Sequence, residues 1–258
     1  MKTKSAILSA LILGTVPTFA GTSSPSFEQS LTPADPASEW SVRVSLYGWA
    51  QGLDGDVAAR GLTAPVDIGF DDILNNLDFA AMGAVEISHG HWSFITDLNY
   101  ANLGADYNGK FGGSGHVDFE QFLGNFLVAY EVMKNESLKF DVYGGTRANA
   151  MTLDIDFTGP KGGKFHASQD EAWVDPVIGA RFQAELGNSF FFRALGDIGG
   201  FGIASDLTWQ AMAGFGYRFN SQCSALLAYR AIGTDYSNDG FTYDVTASGP
   251  VIGMQYAF

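Results

Sequence analysis

Six arginines and five carboxylates share a spacing that would bring them to one side of alternating segments. The arginines are Arg43, Arg147, Arg181, Arg193, Arg218 and Arg230; the carboxylates are Glu86, Asp97, Asp175, Glu185 and Asp197. A guanidinium is a planar fork that matches a carboxylate edge. An unpaired charge in a confined interior costs several kcal/mol (~3–5). A set whose net charge is only +1 therefore points to ion pairing inside an enclosed space. Two roles fit it: an interlocked plug of ion pairs, or a constricted passive pore lined by the same groups. Residue types favour the plug, but a closed sheet of the implied size lies between filled and open forms.

Other chemistry is weakly supported. Glu86, His89 and His91 lie close in sequence, as a metal site or general base would require, but at a short turn where imidazoles are usually solvated. A nucleophilic site needs Ser, His and a carboxylate gathered in space. The chain has four histidines and no G-x-S-x-G. Gly159-Pro160-Lys161-Gly162-Gly163-Lys164 lacks the spacing and the Ser/Thr of a phosphate loop. Asp54, Asp56, Asp71 and Asp72 have the oxygen chemistry of a Ca²⁺ or Mg²⁺ site and read more simply as solvated loop charges. No catalytic residue, metal site or cofactor is expected, and a lipid-modifying enzyme is the alternative.

The elements that would position these residues are strands. Met1 to Ala20 has a lysine-bearing start, an apolar run from Ala6 to Leu13 and a T-x-A site at Thr18-Phe19-Ala20, the order of a secretory signal peptide. Cleavage after Ala20 would remove Lys2 and Lys4 and take the net charge from −14 to −16. That sign excludes a nucleic-acid footprint. Residues 21–39, rich in Ser, Thr and Pro, read as a flexible periplasmic leader. The lone Cys223 excludes an internal disulfide.

From Trp40 onward, apolar and polar residues alternate with period 2. Trp209, Ala211, Ala213, Phe215, Tyr217 and Phe219 fall on one face; Thr208, Gln210, Met212 and Arg218 fall on the other. Ten strands are predicted, at about 40–52, 77–88, 92–105, 117–132, 138–156, 172–186, 190–202, 207–219, 224–234 and 242–258; eight or twelve remain open. Connections alternate between short ones (His89 to His91, Met133 to Ser137, Gly187 to Ser189, Asn220 to Cys223) and longer ones (53–76, 104–116, 158–171, 235–241). Only 202–206 breaks the alternation. Within the first long connection, Asp71 to Leu77 has the composition for one or two helical turns. Short periplasmic turns alternating with long outer loops describe an all-β, antiparallel, up-and-down transmembrane β-barrel over 40–258.

The tail, Gly253-Met-Gln-Tyr256-Ala-Phe258, resembles the C-terminal signal read by the outer-membrane assembly machinery, with Val251 departing from the usual polar residue. Trp173-Val-Asp175-Pro176-Val-Ile-Gly179-Ala-Arg181 and Gly196-Asp197-Ile-Gly199-Gly200-Phe-Gly202-Ile-Ala-Ser205-Asp206 resemble recurring motifs of a family of proteobacterial outer-membrane β-barrel proteins, labelled porin-like and of small OmpA type. Leu46-Tyr47-Gly-Trp49 and Ile73 to Phe79 fit as well, so the resemblance covers most of 40–258. It implies fold and location, with outer-membrane lipid, lipopolysaccharide and the assembly machinery as partners, and it implies no substrate. Pro176, on the outward parity, should interrupt a ladder; Gly199, Gly200 and Gly202 suit a tight turn.

Overall fold

The computed structural model describes residues 40–59, 62–108, 113–159 and 162–258. The expected signal peptide and leader lie outside these residues.

The chain forms twelve antiparallel strands in one sheet, ten of which close into a ring. The ring consists of β1 (Trp40–Trp49), β4 (Leu77–His89), β5 (Trp92–Asn108), β6 (Ser114–Lys134), β7 (Leu138–Thr158), β8 (Lys164–Gly187), β9 (Phe190–Gly200), β10 (Ser205–Arg218), β11 (Cys223–Asn238) and β12 (Phe241–Ala257). Each pairs with its sequence neighbour in the ring, and β12 closes on β1 from Arg43↔Ala257 to Trp49↔Val251. The Phe258 amide donates to Val42 O at 2.9 Å and fixes the chain end to the first strand.

The long connections are more ordered than the sequence suggested. The first contains a hairpin, β2 (Gly52–Ala59) and β3 (Leu62–Ile68), then the short helix α1 (Phe70–Asn75). The helix matches the expected turn; the hairpin was not foreseen. β2 pairs with the upper half of β12, from Gly52↔Ser248 to Ala59↔Phe241, directly above the β1 contact. β12 is thus one long strand with two successive partners. Gly249 lies at their junction, where any Cβ would run into the Ala50 carbonyl. The predicted loops at 104–116, 158–171 and 235–241 are largely strand, because each ladder continues in register past the apolar belt. Those extensions turn the pattern over, with Leu153, Ile155 and Phe157 on the inward parity and Asp154 and Asp156 on the outward one, so the outward apolar face that marks the belt stops there.

Outside, the barrel is apolar. Ile252, Met254, Tyr256 and Phe258 form an exposed stripe, Phe258 being 74% exposed, and Phe215, Leu227 and Tyr229 extend it across neighbouring strands. Aromatics gather at the short-turn end: Trp92 against Tyr130 at 4.9 Å, Phe190 against Tyr217 at 4.9 Å and Tyr256 against Phe258 at 4.8 Å. On β10 the apolar face runs from Trp209 to the short turn, close to the ~9–11 residues that a tilted strand needs to span a bilayer. An apolar belt edged by aromatics on a closed sheet is the surface of a membrane-spanning barrel.

Pro176 acts as expected. β8 pairs with β9 only from Val177 downward, while its upper half pairs with β7 alone. Gly200, Phe201 and Gly202 all have positive φ (85°, 53° and 70°) and make the tight turn into β10.

Candidate functional site

The interior is built in three levels. Nearest the short turns, inward residues of β1, β4, β7, β8 and β9 form a charged vestibule. Arg181 donates from Nη2 to Glu86 at 2.5 Å and from Nε to Asp141 at 2.5 Å. Arg43 lies 3.5 Å from Glu86. Lys139 bridges Glu131 and Asp141 at 3.5 and 3.6 Å. At the rim, Arg218 forms a fork with Glu185, one arm at 2.6 Å. A cavity of about 190 Å³ lies among these residues.

Above it, a polar layer crosses the lumen. Arg147 on β7 donates to Asn125 at 2.9 Å, to Thr208 at 2.9 Å and to Asp197 at 2.8 Å, so it touches β6, β10 and β9 at once. Tyr143 donates to the other Asp197 oxygen at 3.0 Å. Beside it, Arg230 donates to Asp97 at 2.8 Å and to Gln210 at 2.7 Å, and Tyr47 donates to Asp97. Arg147 has no exposed surface and Arg230 is 4% exposed. Each guanidinium is pinned from several strands, which holds the layer rigid as well as neutral.

The third level is apolar. Trp173 stacks on Tyr236 at 4.1 Å and 6° and meets Tyr243 at 5.9 Å. Trp49, Leu123, Ile232, Val245 and Ile73 of α1 complete the cluster. These side chains share the inward parity of the charges yet are hydrophobic, so the upper barrel has a packed core.

The predicted lumen residues therefore separate. Arg43, Glu86, Asp97, Arg181, Arg193 and Arg230 line the vestibule or its ceiling. Arg147 and Asp197 are buried and form the crossbar. Asp175 is also inward and fully buried, but it pins a turn: its carboxylate accepts from the Ser205 amide at 2.8 Å and hydroxyl at 2.7 Å. Glu185 and Arg218 pair with each other at the rim. The predicted residues thus fall at different heights, and Arg147, Asp175 and Asp197 are enclosed by their hydrogen-bond partners. Lys139, Asp141 and Glu131 were missed, although all three share the parity of Arg147 or of its β6 partner Asn125. They take the net interior charge from +1 to zero.

The histidines do not assemble. His89 packs against Trp40 with ring centroids 4.6 Å apart and planes tilted by 33°, and His91 lies 3.6 Å from Glu131. No group of His, Cys, Asp or Glu among the described residues has the geometry of a metal site. His116 lies on the outward face of the strand extensions, its two ring nitrogens 2.8 Å from Asp106 and 3.1 Å from Asp118. Hydrogen bonds that the protonated ring donates to both carboxylates raise its pKa. Asp54, Asp56, Asp71 and Asp72 are exposed, as solvated charges are.

Of the tail residues, Tyr256 and Phe258 face outward, whereas Gly253 faces Tyr47, where a Cβ would meet that side chain at 2.7 Å.

No protein-family model and no curated protein matches the sequence. Among solved structures, the outer membrane protease OmpT from Escherichia coli aligns with a TM-score of 0.55 at 9% identity, over 85% of this chain and 97% of that chain. The translocator domain of the autotransporter NalP from Neisseria meningitidis aligns at 0.40 with 14% identity, over 86% and 89% of the two chains. Ail, the attachment invasion locus protein of Yersinia pestis, aligns at 0.36 with 12% identity, over 86% and 99%. At 9% identity the likeness to OmpT is one of fold, and the chain has the fold of an outer-membrane β-barrel protein.

Proposed function

We propose that this protein is a non-enzymatic, structural barrel of the Gram-negative outer membrane with a sealed lumen. The observation that carries this reading is Arg147, with no exposed surface and hydrogen-bonded to three neighbouring or facing strands. The apolar cluster above it adds a second seal of a different chemical kind. In this orientation the short turns and both strand ends, Trp40 and Phe258, face the periplasm, and the strand extensions stand outside the cell. The apolar belt contacts lipid, the acidic extensions face the lipopolysaccharide layer, and the aromatic tail serves recognition by the assembly machinery.

Single-channel recording in planar bilayers tests the reading. The wild type should give no stable conductance steps, and Arg147→Ala should also remain silent because the apolar cluster persists. Regular steps in the wild type would replace the plug with a pore. Lipid A and phospholipid profiles of expressing cells, read by mass spectrometry, should match those of cells lacking the protein. A new lipid species that disappears with one His or Ser substitution would establish an enzyme instead.

A further inference from the structure

Five interior arginines have a carboxylate in ion-pair contact: Arg43, Arg147, Arg181, Arg218 and Arg230. Arg193, on β9, has none among the described residues. Its guanidinium donates to Gln183 Oε1 at 2.9 Å through Nη2 and 3.2 Å through Nε, and weakly to Gln255 at 3.4 Å. Its carbon centre lies 5.4 Å from the Phe191 ring centroid. Phe191 in turn rests on β10 at Gly216, where an added Cβ would come within 2.1 Å of the ring. Arg193 is thus held in position by neutral groups and borders the 190 Å³ cavity.

The cavity lining carries five cationic side chains and three carboxylates, a local excess of positive charge in a chain whose net charge is −14. The wall also carries neutral polar side chains such as Ser45, Gln183 and Gln255, and an apolar group that includes Phe191, Leu195, Met212 and Leu226. A partly desolvated cation with only amide oxygens as partners lacks the anion that would offset its desolvation. A carboxylate would supply that anion in the fork geometry a guanidinium favours. The volume is below the ~300–1,000 Å³ of pockets for drug-sized ligands, so the ligand must be small. Entry is from the short-turn end, where Arg43 is 31% exposed and Lys139 23%; the crossbar closes the other end.

We propose that the vestibule binds a small monocarboxylate with a short apolar chain, its carboxylate on Arg193 and its chain along Phe191 and Leu226. The site stands independently of whether the layer above it conducts, so the recordings described above and the binding measurement fail separately.

The test is isothermal titration of octanoate into the full-length protein in nanodiscs, with empty nanodiscs as the blank. Octanoate should bind saturably at one site, with octanol and acetate each weaker by roughly tenfold or more, as expected when a charge-assisted bond or the apolar contact is lost. Arg193→Gln should weaken octanoate by roughly ten- to hundredfold. Gln183→Glu keeps the arginine and gives it an internal carboxylate, and it should weaken octanoate by a similar factor. A heat-modifiable gel shift establishes that each variant is folded; if Arg193→Gln does not fold, Gln183→Glu decides. Equal binding of octanol and octanoate would leave only an apolar cavity and overturn the proposal. So would equal binding of acetate, undiminished binding by Gln183→Glu, or no binding to the wild type.

Discussion

At the residue scale, the interior depends on satisfying every buried guanidinium. Arg147 and Asp197 form an enclosed pair in which each is the other's only ionic partner among the described residues. Removing one side of such a pair leaves an uncompensated buried charge, at a cost of about 3–5 kcal/mol. Arg147→Met and Asp197→Asn should each lower the unfolding free energy by about that amount in urea titrations from lipid vesicles. The double variant should recover part of the loss, since neither charge remains; losses below ~1 kcal/mol would mean that the pair is already solvated. Ser205→Ala tests Asp175 as a turn pin. It deletes one of two donors to a buried carboxylate and should cost about 1–3 kcal/mol.

His116 gives a residue-scale prediction in the water-exposed extensions. Hydrogen bonds donated by the ring to Asp106 and Asp118 raise its folded pKa above the ordinary imidazole value. The sign follows from linkage: the contribution is complete below the ordinary pKa and is lost as pH rises through the raised one. NMR titration of the His116 ring should show a midpoint above that of a free imidazole, and Asp118→Asn should lower it. A midpoint at or below the ordinary value would contradict the observed contacts.

At the scale of elements, the ring and its closure followed from alternation. Strand positions, short turns and the outward stripe of Ile252, Met254, Tyr256 and Phe258 were all readable, because lipid on one side enforces period 2. Where lipid ends, the outward apolar face ends too. The β2–β3 hairpin sets Leu53, Val57 and Val66 against the upper core and Asp54, Asp56 and Asp67 on the other face, but so short an alternation does not by itself show the pairing with β12. The upper core was missed for a different reason. Inward residues were expected to be polar, yet Trp173 shares parity with Asp175, and Tyr243 and Val245 share parity with Gln255. Apolar residues on both faces of β12 were the available signal. Lys139 and Asp141 were legible by the same parity as Arg147. What parity could not give is height in the barrel, which decides whether a charge seals, lines or caps.

Gly216 is an element-scale test of how the vestibule is built. Replacing it with Ala places a methyl where the Phe191 ring lies. Overpacking of this kind costs about 1–3 kcal/mol. Gly216→Ala should therefore lower the urea midpoint, and Phe191→Leu in the same chain should restore much of it. No shift in Gly216→Ala would show that Phe191 does not rest on β10.

At the scale of the whole molecule, the barrel is apolar outside, ion-paired below, cross-braced at mid-height and hydrophobic within its upper half. A water path would have to break both the Arg147 and Arg230 networks and then part the Trp173–Tyr236 stack. These are chemically distinct barriers in series, so opening one leaves the other. Most of the exposed acidic residues lie in the extensions, where solvent screens them, with Glu136 at a short turn.

Bilayer conductance of the purified, refolded protein tests the sealed lumen most directly. The wild type and Arg147→Ala should be silent, while a variant combining Arg147→Ala and Arg230→Ala with Trp173→Ala and Tyr236→Ala should show discrete steps if it folds by the heat-shift criterion. Stable steps from the wild type, widened by Arg147→Ala alone, would contradict the account.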